Sequence, residues 1–401
     1  MKRRFVWILI LAALQGLIHN IGHPVTPSLV MKLGIPDYMF GVFFAMMALG
    51  MMIGAPIVGA LGDKIGKVKL IYFGLLVYSF GQAMFGIAGN MWWMTFFRFV
   101  SGVGVSAIVT LFVSHVIQIS PVEKQQVHLG IFSATLTLFA SLGYGLGGIL
   151  NTNPWFISML HTDVEGNVFI LQGILNTLYA VLILFTFHED EVPNKSQKKG
   201  PIRLLDFRFL KEIRPAFLVF LIAVALMSMA RINLSKYIDV YVIQLQYGSD
   251  DLGAFVSFTG ILSVISGVLL VPLFHKLNRH LSVMIFIQIV SAIVVFFVFR
   301  QSNLMFFLYS LYSIYVLLTA VYVPFEQTYI GNHAREGTLG AVMGLRQSFL
   351  SIGMVIGPIL GGILYNADPI LVFDTSAILF LIAAVLLILV SRMHLTKTTN
   401  S

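Results

Sequence analysis

The stretch GALGDKIGKVKL, Gly59 to Leu70, is short and polar, and it joins two apolar runs, residues 38–61 and 68–88. Each run has at least the ~20 residues that an α-helix needs to cross a hydrocarbon core. The joining stretch holds Lys64, Lys67 and Lys69 against one acid, Asp63. A basic turn of this kind marks the cytoplasmic end of a helical hairpin in a membrane. Gly59 and Gly66 permit a close helix approach and a tight turn. Asp63 can accept hydrogen bonds from a neighbouring helix N-terminus, and Lys64 and Lys67 hold the turn at the inner surface.

The same pattern extends outward in both directions. Twelve apolar runs stand at about 5–30, 38–61, 68–88, 91–118, 128–150, 168–187, 215–243, 252–274, 281–300, 304–330, 338–364 and 370–391. Of the 401 residues 58% are hydrophobic and 10% charged, against about 25% charged in a soluble domain. Lipid is therefore the main solvent. A β-barrel is excluded, because its strands would alternate in ~10-residue segments with a polar inner face. The basic start Lys2-Arg3-Arg4 precedes an apolar run without a small-residue cleavage site, which predicts a retained first helix rather than a cleaved signal. With the N-terminus inside, 19 of the 25 Lys and Arg fall in inner segments, and only Lys32 and Arg300 in outer ones. The outer loops carry Asp37, Asp163, Glu165, Asp250, Asp251 and Asp368 instead. This asymmetry predicts a multi-pass protein of the cell (cytoplasmic) membrane with both termini cytoplasmic. The net charge of +8 thus follows topology, and no nucleic-acid partner is implied. The lack of cysteine excludes disulfides and thiolate metal sites.

The longest polar segment, His188 to Pro215, divides the chain near its middle. It predicts an N-terminal six-helix bundle (1–187), a cytoplasmic linker (188–214), a C-terminal six-helix bundle (215–391) and a cytoplasmic tail (392–401). Within the linker, Leu204, Leu205, Phe209 and Leu210 stand near Arg and Lys, which suits a helix lying on the inner leaflet as well as a solvated connection. The halves repeat. A shift of 212 residues sets the start of the second span, Gly41, against Gly253, and the turn Leu61–Lys67 against Leu273–Arg279. A shift of 214 sets Gly147-Gly148-Ile149-Leu150 against Gly361-Gly362-Ile363-Leu364. Two six-helix halves with weak internal symmetry are the pattern of a secondary transporter.

On these motifs the chain resembles a major facilitator superfamily transporter over essentially its whole length. GALGDKIGKVKL resembles the family's loop signature, an element that acts as a conformational latch; the resemblance carries that role to Gly59, Asp63, Lys64, Gly66 and Lys67. RFVSGVGVSA, Arg98 to Ala107, resembles the Arg-x-x-Gln-Gly-x-Gly motif of the fourth span, with Ser101 in place of Gln. Arg98, Gly102 and Ser106 share one helical face, and small residues there allow close packing. GMVIGPILGG, Gly353 to Gly362, resembles a helix-packing motif of the drug:proton antiporter branch, with Gly353, Gly357, Pro358, Gly361 and Gly362 in place. That branch carries it in the fifth span, where this chain has SLGYGLGG, with Tyr144 at the proline position and then Gly147 and Gly148. The wording of the first spans resembles the twelve-span bacterial multidrug exporters. Those place an acid in span one or seven; here span one offers His19, Asn20 and His23, and span seven offers Arg231, Asn233, Lys236 and Asp239.

At 1.5 Å per residue, His19, Arg98 and Arg231 all fall in the outer half of a core about 30 Å thick. Glu326 and Arg346 lie near the inner ends of spans ten and eleven, as an ion pair or a gate. The resemblance makes this polar set the substrate and proton pathway of an all-α transporter, not an enzyme, that works by alternating access. The expected activity is proton-coupled efflux of amphipathic small molecules. His19 is the expected titrating group, with Asp239 and Glu326 as rival proton carriers. The excess of Arg98, Arg231, Lys236 and Arg346 over Asp239 and Glu326 points instead to an organic anion, a phosphorylated solute or an anionic lipid. A non-transporting sensor or scaffold is the alternative of another class. His19 and His23 lack the third ligand a catalytic zinc needs, and no phosphate loop for ATP is present. Neither metal nor cofactor is expected, and the chain is expected to act as a monomer in the bilayer.

Overall fold

A computed structural model of the chain describes residues 2–121, 124–160, 164–187, 215–277, 279–333 and 339–398. The linker at 188–214, with its expected interfacial helix, lies outside the described residues. Among the described residues every regular element is an α-helix. In chain order they are α1 (Lys2–Asn20), α2 (Thr26–Lys32), α3 (Tyr38–Ile65), α4 (Lys67–Ile87), α5 (Met91–Ile119), α6 (Gln125–Thr152), α7 (Pro154–Leu160) and α8 (Val164–Thr186). There follow α9 (Pro215–Gln244), α10 (Ser249–His275), α11 (His280–Val298), α12 (Leu304–Tyr309), α13 (Leu311–His333), α14 (Leu339–Ala367) and α15 (Pro369–Thr398). Among the described residues eleven helices are long and apolar enough to cross a membrane, and the first expected span is represented by the shorter apolar helix Arg4–Asn20.

That first span is the main correction. It was expected to run unbroken over 5–30, but α1 stops at Asn20 and α2 starts at Thr26. Pro24 and Pro27 have no N–H, so the carbonyls of Asn20 and His23 lose their donors four residues on. Each takes the donor three residues on instead: His23 N to Asn20 O at 3.2 Å and Thr26 N to His23 O at 3.2 Å. Span ten is likewise divided, at Ser310, whose hydroxyl bonds back to Phe306 O at 2.7 Å. The last helix continues to Thr398, so most of the expected tail is helical. The short α7 had no counterpart in the sequence reading.

The chain groups into two compact units, Met1–Asp206 with Val242–Gly260, and Phe207–Tyr241 with Ile261–Ser401. In the first, α3 packs on α5, α4 on α5 and α8, and α1 on α6; Leu11, Leu75, Tyr78, Ile108, Phe112 and Ile183 lie in its core. In the second, α11 packs on α13 and α15. Large apolar side chains such as Phe73, Phe80, Phe185 and Val268 stand exposed, while Arg98, Gln172, Asn176, Asp239 and Glu326 are buried. A soluble protein exposes its charges and buries its large apolar groups; the inversion follows from lipid as the solvent.

Candidate functional site

The break between α1 and α2 builds the polar centre of the first unit. It turns the chain so that the Thr26 hydroxyl, itself bonded to Gly22 O at 2.9 Å, meets Nη2 of Arg98 at 3.2 Å. Nη1 of Arg98 donates to Gln82 Oε1 at 3.2 Å. The guanidinium carbon lies 3.9 Å from the Phe85 ring centroid, with Phe169 at 5.6 Å and Phe44 at 5.9 Å. Among the described residues no carboxylate pairs with Arg98, although it is only 2% exposed. Aromatic faces supply part of the missing compensation.

From Gln82 the network runs inward. Gln82 Nε2 donates to the Tyr78 hydroxyl at 2.8 Å, and that hydroxyl donates to His19 O at 3.3 Å. Gln172 Nε2 donates to the same carbonyl at 2.7 Å, and Asn176 Nδ2 to Gln172 O at 2.8 Å. The His19 ring is buried against Tyr78 and Tyr179, at 4.6 and 6.4 Å between centroids. His23 is elsewhere: half-buried, it stacks between Phe44 at 5.6 Å and Tyr144 at 5.3 Å. His23 lies past the end of α1, so the two histidines do not share one helical face. Asn20 closes the end of α1, with Nδ2 bonded to Gly16 O at 2.8 Å.

The latch stretch differs in detail from expectation. Gly66 has φ +103 and separates α3 from α4, a conformation that favours glycine. Among the described residues the one neighbour of a Cβ built on Gly59 is the Thr110 methyl, at 3.8 Å. The Lys67 side chain is buried and reaches α5, with Nζ 3.1 Å from Ser114 Oγ and 2.5 Å from Gln118 Oε1. The side chains of Asp63 and Lys64 lie outside the described residues. The packing glycines do sit at close approaches. A Cβ on Gly102 would fall 2.1 Å from Met47 O, and one on Gly147 1.9 Å from Ile21 O. Gly148 lies against Ser249, and Gly353, Gly357 and Gly361 of α14 lie against α9. Beside them the Tyr237 hydroxyl donates to Pro358 O at 2.6 Å; Gly362 stands one residue further along α14 than Gly361.

In the second unit, Arg346 Nε on α14 meets Glu326 Oε1 on α13 at 2.5 Å, and the Glu326 side chain is fully buried. Asp239 is buried on α9, where Arg231 and Lys236 are half-buried. Three tyrosines of α13 stand in the field of these charges. Tyr312 interacts with Asp239 and Arg231, Tyr315 with Arg231, and Tyr322 with Glu326, Arg231 and Arg346.

Eleven described helices of membrane-spanning length with a shorter apolar helix before them, a basic glycine turn and a buried arginine on α5 already narrow the choice of family. The family model described as the Major Facilitator Superfamily matches residues 5–338 and 282–401. The chain belongs to the Major Facilitator Superfamily. It is thus a multi-pass membrane transporter, not an enzyme. Among similar superfamily members is the quinolone resistance protein NorA of Staphylococcus aureus (strain MSSA476), 25% identical over 392 residues, covering 93% of this chain and 92% of NorA. Multidrug resistance protein 1 of Bacillus subtilis (strain 168) is 23% identical over 354 residues, covering 86% and 85%. A solved bacterial homolog of the human lysosomal transporter Spinster shares the fold, with a TM-score of 0.80 at 15% identity and 98% of each chain covered. The nucleoside transporter NupG does so with a TM-score of 0.71 at 14% identity, covering 97% and 99%. The sequence points to Arg98 and Glu326, both buried in the structure, but not to Thr26, Tyr78, Gln82, Gln172 and Asn176. Amides inside apolar spans, Gln172 and Asn176 one turn apart among them, were the available signal.

Proposed function

We propose that this transporter exports amphipathic small molecules across the cell membrane in exchange for protons, with Glu326 as the proton carrier. One observation carries the reading. Glu326 is a fully buried carboxylate with one oxygen on Arg346 and the other, Oε2, without a hydrogen-bond partner among the described residues. Protonation at Oε2 would neutralise the acid and free Arg346 from its counter-ion, and in a medium of low dielectric that change is large enough to shift a helix pair. The names of NorA and Multidrug resistance protein 1 support export of drug-like molecules. His19, the group first expected to titrate, is enclosed by tyrosines and amides of its own unit, which favours Glu326 over it.

Inside-out vesicles with an acidified lumen test this. They should accumulate a cationic amphipathic dye such as ethidium, and E326Q should lose that accumulation while dye–dye exchange at equal pH persists. Undiminished accumulation by E326Q would overturn the assignment.

A second reading rests on Arg98. A buried cation without an acid is poised for a substrate's carboxylate or phosphate, so the exported molecules would carry an anionic group.

A further inference from the structure

Four segments of the first unit bring side chains together around Arg98. They are α3 with Phe44, α5 with Arg98 itself, α6 with Tyr144, and the break between α1 and α2 with His23. Each is tied to the next. The Arg98 guanidinium carbon lies 5.9 Å from the Phe44 ring centroid. Phe44 stacks on His23 at 5.6 Å with 15° between the ring planes, and His23 on Tyr144 at 5.3 Å with 4°. Tyr144 lies within the field of Arg98 and closes the circle. Burial is graded across it: Arg98 and Tyr144 are buried, whereas Phe44 and His23 are half-buried. The guanidinium thus stands at the closed end and flat rings at the partly open end.

The chemistry of the two ends differs. At the closed end the hydrogen-bond partners of Arg98 are neutral, Gln82 and Thr26, each at 3.2 Å, and among the described residues no acid balances its charge. A carboxylate would supply that balance through two parallel hydrogen bonds. At the other end the near-parallel ring faces favour a further flat ring in an offset stack. We propose that this site binds a planar aromatic carboxylic acid, with its carboxylate on Arg98 and its ring against His23, Phe44 and Tyr144. The proposal rests on the reading of Arg98 as an anion site and adds to it the shape of the molecule. His23 lies outside both α1 and α2, so its ring can shift and yield stacking surface to the ligand without unwinding a helical turn. A cationic amphiphile would meet the repulsion of the guanidinium there, and a saturated acid would forgo the stack.

The test is equilibrium binding to the full chain in lipid nanodiscs, measured by isothermal titration calorimetry. No pH gradient is present, so the outcome is independent of which group carries the proton. The probes are naphthoate, its saturated analogue decalincarboxylate, and the cation naphthylmethylammonium. The parent chain should prefer naphthoate to the cation by about ten- to a hundredfold, the worth of a hydrogen bond to a charged group. It should prefer naphthoate to the saturated acid by about two- to tenfold, the worth of an aromatic pair. R98M should lose the first preference. F44L and H23L should each lose the second and keep the first, and either variant carries this arm if the other fails to fold. If either folded variant still tells flat from saturated acid as the parent does, the ring site is wrong and Arg98 remains an anion site. If R98M still prefers the acid to the cation, both readings fall. Equal binding of the three probes by the parent chain, or no binding of naphthoate at millimolar concentration, would overturn the proposal as well.

Discussion

Arg98 is the residue at which burial and charge are least reconciled. Placing a charge inside a membrane costs about 2.5 kcal/mol or more on insertion scales, and the first unit offers this one two bonds of 3.2 Å and an aromatic wall in return. A guanidinium has five N–H donors, so most of its capacity is unused. Exchanging a buried charge for an apolar side chain of similar volume is often neutral or stabilising. R98M should therefore hold or raise the thermal midpoint of the purified protein. The same change should weaken inhibition by anionic dyes by about ten- to a hundredfold, because a hydrogen bond to a charged group is worth about 1.5–3 kcal/mol. Inhibition by cationic dyes should not weaken. A marked fall in the midpoint, with both dye classes affected alike, would make Arg98 a structural cation and remove the anion reading.

At the scale of elements, the sequence displayed where helices are and hid how two of them are divided. Hydropathy located every long span, because an apolar run of membrane length has few other uses. It joined α1 to α2, because Ile21 and Val25 are as apolar as their neighbours, and only the spacing of Pro24 and Pro27 spoke against continuity. The site shared that fate. Arg98 and Glu326 were legible as lone charges in apolar runs. Thr26 was not, since its role arises from the break, and Gln82 was not, since nothing local connects it to an arginine sixteen residues on. Close glycine packing differs between positions: Gly102 lies at a close backbone approach, whereas the nearest described neighbour of a Cβ on Gly59 is 3.8 Å away. The contrast can be measured. Alanine at Gly102 would drive a methyl against Met47 O, whereas a Cβ on Gly130 of α6 meets nothing within 4 Å. G102A should destabilise by about 1–3 kcal/mol, the usual cost of overpacking. G130A should unfold at the parent temperature or slightly above, since alanine is the better helix former. Equal midpoints for the two variants would show that α3 and α5 separate at no cost, contrary to the backbone approach seen at Gly102.

For the molecule as a whole, orientation is the property on which the proposed export depends, and charge governs it. Nineteen of the 25 basic residues fall on one side of the expected topology and two on the other, and short basic loops are retained in the cytoplasm. The loops concerned are short and lie next to span ends, where the rule applies. The linker, with its seven basic residues between Lys195 and Arg214, adds to the same side. A chain without cysteine allows a direct test, since any single introduced thiol is the only one to label. Gly89, in the turn between α4 and α5, meets nothing that a Cβ would strike, and Leu277 follows α10 with 58% exposure. G89C should react with a membrane-impermeant maleimide on intact cells. L277C should react only after the membrane is permeabilised or in inside-out vesicles. The reverse pattern would put both termini outside, and acidified inside-out vesicles would then face the wrong side of the transporter. Proton-driven accumulation in inside-out vesicles, together with labelling of G89C from outside the cell, would join topology to direction, with protons entering the cytoplasm as substrate leaves it.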